Sequence, residues 1–191
     1  METIIEQCYD QRELIPLLKP SSCHPSCTVR CEVSGRDNRI GEELSRLLFE
    51  KYGNSQMPPE KFLVHFSGTA GDYFGLNLAP GVTFVVDAVG DYGCARMNGG
   101  MVVVLSHPGH HFAIGLRNGF AYAYFDRLPS ARRHSRALAM DTIPPSSVEA
   151  CHLRALIAEH AELTGSDRAR QLLSNWPETL RHFIRITGSC P

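Results

Sequence analysis

The sequence carries no surplus of either charge. Its 19 Lys and Arg stand against 20 Asp and Glu, a formal net charge of −1, so no global field draws it to nucleic acid or to an anionic membrane. It has no long apolar run, and none reaches the roughly 18 residues of a membrane span. Residues 1–18 argue against a secretory leader: they mix acids into their apolar side chains and carry neither a basic start nor an unbroken apolar stretch. The cysteines do not come as an even set. Seven of them, at 8, 23, 27, 31, 94, 151 and 190, suit free thiols in a reducing compartment better than a disulfide framework. Together these absences predict a cytoplasmic protein without nucleic-acid or membrane partners.

What is present is a period. With 191 residues, 43% of them hydrophobic, the chain is long enough for one domain with a sizeable core. Four apolar, β-rich runs start at Phe62, Val82, Met101 and Phe120, separated by 20, 19 and 19 residues. Asn77, Asn98 and Asn118 precede successive runs, and Gly71/Gly75, Gly90/Gly93 and Gly109/Gly115 recur in phase, as do the aromatics Phe74, Tyr92 and Phe112. A unit of this length holds two or three short strands joined by tight turns, and Gly and Asn tolerate the left-handed backbone such turns use. The spacing predicts an all-β fold: a short, single-stranded, right-handed parallel β-helix (a β-solenoid) with flanking α-helical caps.

The caps are expected on both sides, because open solenoid ends expose unpaired backbone. Leu44, Leu47, Leu48 and Tyr52 share one face of a predicted helix over 41–53 that Gly53 stops. Ser146 with Glu149 forms a capping box for a helix carrying Val148, Leu153, Leu156, Ile157 and Leu163 and ending at Gly165, followed by a short helix over 166–176 and a strand over 183–186. The expected organisation is a Cys-containing segment (1–32), a helical lead-in and cap (33–60), the solenoid (61–127), a linker (128–145) with the basic cluster Arg132, Arg133, His134 and Arg136, and a C-terminal helical segment (146–191).

The residues that could carry chemistry are few. Cys23, Cys27 and Cys31 fall at four-residue steps with His24 adjacent. On a helix they would share one face and, with His24 or Cys8, supply four ligands for zinc or an iron–sulfur centre. The spacing matches no common metal motif, however, and Pro25 works against a continuous helix. Cys94 lies among glycines and reads as a small packed residue before it reads as a nucleophile. His107, His110 and His111 cluster in a predicted turn. Asp72, Asp87 and Asp91 offer carboxylates, though Asp91 is read as a turn residue bonding its own backbone. No acid, base, metal or cofactor-binding residue is assigned.

Several segments, in order, resemble the glycine-rich (GXGXG) C-terminal domain of the glutamate synthase large subunit. They are Gly68 to Gly75 with Ala79 to Val82, Val89 to Leu105, Gly109 to Gly115 with Asn118 to Tyr122, and Leu156 to Arg170 with Asn175, Trp176 and Phe183. The likeness covers about 33–186, in a shortened form that runs from the opening motif almost directly into the Gly90 to Gly100 signature. It implies a non-catalytic scaffold whose partners are amidotransferase and flavin/iron–sulfur synthase subunits, with FMN and iron–sulfur clusters on those partners and homo-oligomers possible. The family's glutamine hydrolysis uses an N-terminal cysteine, whereas this chain begins Met1-Glu2 and its first cysteine is Cys8. The alternative is a small metal- or thiol-dependent redox subunit of a methylglutamate synthase or formylmethanofuran dehydrogenase type of complex.

Overall fold

A computed structural model describes residues 9–18, 26–53, 58–59, 61–127 and 138–188. Among the described residues seven strands form one open sheet: β1 (Ser26–Val33), β2 (Lys61–Ala70), β3 (Val82–Val89), β4 (Asn98–Val104), β5 (Asn118–Tyr124), β6 (Leu138–Thr142) and β7 (Phe183–Gly188). Their order is β1-β2-β3-β4-β5-β7-β6. Neighbours from β1 to β5 are parallel, and β7 runs antiparallel to both β5 and β6. The helices are α1 (Ile15–Leu17), which follows a π-helical turn at Asp10–Leu14, α2 (Glu42–Tyr52), α3 (Val148–Thr164), α4 (Asp167–Ser174) and α5 (Trp176–Leu180). No helix among the described residues is long and apolar enough to cross a membrane.

The sheet is buried on both faces, and the period-two alternation of each strand sorts its side chains. Val64, Phe66, Phe84, Val86, Val102, Val104, Ala121 and Ala123 pack on one side with residues from the turns and α2, such as Phe74, Leu78, Cys94, Met97 and Leu48. Val85, Val103 and Tyr122 face the other way, against Ala150, Leu153, Leu156 and Ile157 of α3 and Leu172 of α4. Two-sided burial explains why the strands read as near-continuous apolar runs. Each fully buried valine, such as Val85 or Val103, contributes about 1.5 to 3 kcal/mol.

This architecture corrects the expected all-β β-solenoid: the fold is α/β, a mixed seven-stranded sheet flanked by helices. Two physical reasons account for the difference. The 19- to 20-residue unit supplies one strand rather than two or three, because Asp72–Asn77, Asp91–Arg96 and His110–Gly115 are turns. The C-terminal helices are not end caps either, since they cover a face of the sheet. The turns do stack in register, with the Tyr73 N–H donating to the Asp91 carbonyl (2.9 Å) and the Tyr92 N–H to that of His110 (2.8 Å).

Local signals place the helices. The N-cap of α2 is Gly41 in a left-handed conformation (φ 91), which has no side chain to offer the first turn. Asp10 supplies it instead: its buried carboxylate accepts the N–H groups of Gly41 (2.8 Å), Glu43 (2.9 Å) and Leu44 (3.1 Å). Helix α3 starts one residue later than the expected capping box, because Ser147, not Ser146, caps it by accepting from the Ala150 N–H. Gly165 (φ 70) ends it. Of the stretch expected as linker, Leu138–Thr142 forms β6; its basic cluster, 132–136, lies outside the described residues. Gly68 (φ 102) sits where β2 shifts register against β3, and a Cβ there would lie 2.3 Å from the Val33 carbonyl oxygen.

Candidate functional site

Among the described residues a buried group of chemistry-bearing side chains lies between the sheet and α3. His65 alternates with Val64 and Phe66, so the sheet turns its ring toward the helices, and Asp87 near the end of β3 faces the same way. His160 comes from the buried face of α3, and Ser166 is the N-cap of α4. His65 Nδ1 lies 3.3 Å from His160 Nδ1, so one ring donates and the other accepts. His160 Nε2 lies 3.3 Å from Asp87 Oδ1. Asp87 also accepts the Ser166 hydroxyl and the Gly68 N–H (3.0 Å). Both imidazoles are fully buried.

The electrostatics follow from that burial. Burial and the neighbouring His160 push His65 down to about 4, which keeps it neutral. Its Nε2 has no hydrogen-bond partner, and the Glu159 carboxylate stands 3.9 Å away. Burial pushes Asp87 up, but the bonds from His160, the Gly68 N–H and Ser166 together outweigh it and hold the carboxyl below its ordinary value.

The connectivity decides what this cluster can do. In a Ser-His-Asp triad the imidazole stands beside the serine hydroxyl and the carboxylate behind the imidazole. Here Ser166 donates to the carboxylate and accepts from the Ala169 N–H, so the carboxylate stands between serine and histidine and the order is not that of a Ser-His-Asp triad. The cluster is a polar joint that ties β2 and β3 to α3 and α4.

The residues singled out from the sequence are dispersed. Asp72 and Asp91 act as staples between successive turns: Asp72 Oδ1 accepts the Asp91 N–H (2.8 Å) and Asp91 Oδ1 accepts the His110 N–H (2.7 Å). Asp91 therefore bonds the next turn's backbone and not its own. His111 stacks on Tyr92, with centroids 4.9 Å apart, and His107 meets Phe125 edge-on at 5.3 Å. Cys94 is fully buried in a left-handed conformation (φ 60), and burial pushes its thiol well above the ordinary range. Cys27 and Cys31 lie on strand β1, not on a helix. Four residues of strand separate them by roughly 13 Å, too far to share one ion. Cys8, Cys23 and His24 lie outside the described residues. Among the described residues no group of three or more His, Cys, Asp or Glu could hold a metal ion, so they do not fit a zinc or iron–sulfur centre.

His65, His160, Ser166 and Asp10 went unrecognised in the sequence. A signal existed for two of them: His65 is the one polar residue within Phe62 to Phe66, and His160 continues the buried helical spacing of Leu153 and Leu156.

A mixed sheet, parallel from β1 to β5, with helices α3 and α4 on one face and stacked glycine-containing turns on the other, is the form taken here by a known sequence family. Residues 81–189 match the family described as GXGXG motif, more than half of the chain, and the chain belongs to it. Within that family the chain is of the glutamate synthase kind, as its relatives show. It is similar to glutamate synthase (NADH) of Schizosaccharomyces pombe, 26% identical over 227 aligned positions that cover 83% of this chain and 11% of that protein. It is 30% identical over 124 residues to the glutamate synthase (NADPH) large chain of Bacillus subtilis, covering 64% of this chain and 8% of that one. Ferredoxin-dependent glutamate synthase 1 of Arabidopsis thaliana is 34% identical over 124 residues, 62% of this chain and 7% of that protein. The chain thus spans a small fraction of the length of these relatives. The yeast alignment is longer than the 191 residues of this chain, so that relative carries residues here without a counterpart.

Proposed function

We propose that this chain is a non-catalytic scaffold or interaction subunit or domain of a glutamate synthase-like amidotransferase and oxidoreductase system. The observation that carries the reading is the polar joint at His65, Asp87, His160 and Ser166, read together with membership of the glutamate synthase branch of the GXGXG family. That buried cluster holds the helices on the sheet, and its serine faces a carboxylate instead of an imidazole. On this reading amidotransferase and synthase subunits are the partners, and FMN and iron–sulfur chemistry belongs to them.

The test mixes the purified chain with the amidotransferase and synthase polypeptides of its own organism and follows co-elution by size exclusion, with glutamine hydrolysis by the chain alone measured in parallel. Co-elution without hydrolysis supports the scaffold. Turnover of glutamine by the isolated chain sinks it. The competing redox reading needs the N-terminal cysteines to share a centre, although Cys27 and Cys31 stand apart on β1. Stoichiometric iron or zinc in anaerobically purified protein, lost on Cys27→Ser, would favour that alternative.

A further inference from the structure

A groove of about 780 Å³ runs between α2 and the stacked turns. Its two walls differ in charge. On the α2 side the ions are already matched: Arg39 pairs with Glu42 through two bonds (2.6 and 2.8 Å), and Arg46 pairs with Glu43 (2.6 Å) and with Glu50. The opposite wall presents Arg96 and Arg117 beside the amides Asn77 and Asn98. Both arginines are exposed, and among the described residues neither is paired with a carboxylate. Phe49, half-buried, gives the α2 wall an apolar spot.

The backbone sets the length of this groove. The Arg39 N–H donates to the Asp72 carbonyl (2.9 Å), the Asn77 N–H to Ala95 (3.0 Å), the Arg96 N–H to Ile114 (2.9 Å), and the Arg117 N–H reaches back to Met97 (2.9 Å). Arg39, Asn77, Arg96 and Arg117 therefore belong to four successive layers. Three steps of about 4.8 Å span roughly 14 Å, the length of about four extended residues.

We propose that this groove docks an extended acidic segment of a partner protein, with Arg96 and Arg117 taking its carboxylates and the matched α2 wall lining its other side. A guanidinium offers a planar fork of donors that suits carboxylate oxygens, and the two unmatched forks stand in adjacent layers. The elongated shape favours a chain over a compact anion. The inference goes beyond the scaffold reading, since it does not depend on which protein supplies the segment.

The test titrates a fluorescein-labelled hexaglutamate peptide into the full chain at low ionic strength, read by anisotropy. Saturable binding is expected, weakened about tenfold by each of Arg96→Asn and Arg117→Gln. Asn is chosen at position 96 because the backbone there is left-handed (φ 53) and Asn tolerates that region. Arg154→Gln, which removes the same charge from an exposed site on α3, should leave affinity unchanged. An equal loss in Arg154→Gln, competition by free glutamate or inorganic phosphate as effective as by the hexapeptide, or no saturable binding up to about 1 mM would each overturn the proposal. Binding of hexaglutamate by a chain that co-elutes with no synthase polypeptide would sink the scaffold reading alone.

Discussion

Acidification from pH 7.5 to 4.5 should destabilise the fold through His65. The ring is fully buried, its Nε2 has no hydrogen-bond partner, and burial together with His160 holds it down to about 4. In the unfolded chain the same ring takes its proton near pH 6.5. Between those values the unfolded state binds a proton that the native state refuses, so stability falls as pH falls, by about 1.4 kcal/mol per unit. Over the window from 6.5 to 4 that amounts to about 3 kcal/mol. Asp87 acts in a different range. Its carboxyl is held below the ordinary value, so its contribution is present above the unfolded carboxylate pKa and is lost only as pH falls through the lower native one. Of the other groups facing His65, the Glu159 carboxylate at 3.9 Å works against the effect and His160 works with it. Urea unfolding followed by circular dichroism at pH 7.5, 6.5, 5.5 and 4.5 measures the slope, and His65→Leu isolates the contribution of this ring. The variant should lose markedly less stability across the series than the parent. Identical slopes in parent and variant would refute the reasoning.

Three further outcomes are expected. Asp10→Ala leaves three backbone N–H groups at the start of α2 without their acceptor and should cost about 2 kcal/mol, visible as a lower urea midpoint with an unchanged m-value. Ile157→Ala empties a fully buried position between α3 and the sheet and should cost about 2 to 5 kcal/mol, measured the same way. Cys94→Ala should not change the number of thiols that react with Ellman's reagent in the native state, because the Cys94 thiol is buried and held protonated, whereas the exposed Cys151 should react; in denaturant the variant should show one thiol fewer than the parent.

Much of the strand content was legible because four strands bury both faces. The runs starting at Phe62, Val82, Met101 and Phe120 fall within β2 to β5, and Phe183 opens β7. The same two-sided burial hid the fold class: an apolar run shows that both faces are covered without showing that α3 covers one of them. β1 was missed for a different reason. Cys27, Val29, Cys31 and Val33 alternate with Thr28, Arg30 and Glu32, a period of two, but the four-residue cysteine step also fits one face of a helix, and the segment was weighed as a metal candidate and not as a strand. β6 carries Asp141 and Thr142 at a sheet edge, so it shows little apolar pattern. The polar joint was out of reach because His65 and His160 are 95 residues apart and meet only once α3 has settled on the sheet. Asp10 likewise caps a helix that begins some thirty residues further along.

The aspartate staples also limit how such a chain can change length. Asn38 accepts the N–H of Asp72, Asp72 that of Asp91, and Asp91 that of His110, the last two links each spanning 19 residues. Deleting one residue between two staples would misplace a donor and turn the following strand's buried side chains toward the wrong face. Removing one whole interval would bring an equivalent donor to the same acceptor and keep every face as it was. Length in this part of the protein is therefore discrete: it can be lost or gained by the layer, and intermediate lengths are penalised.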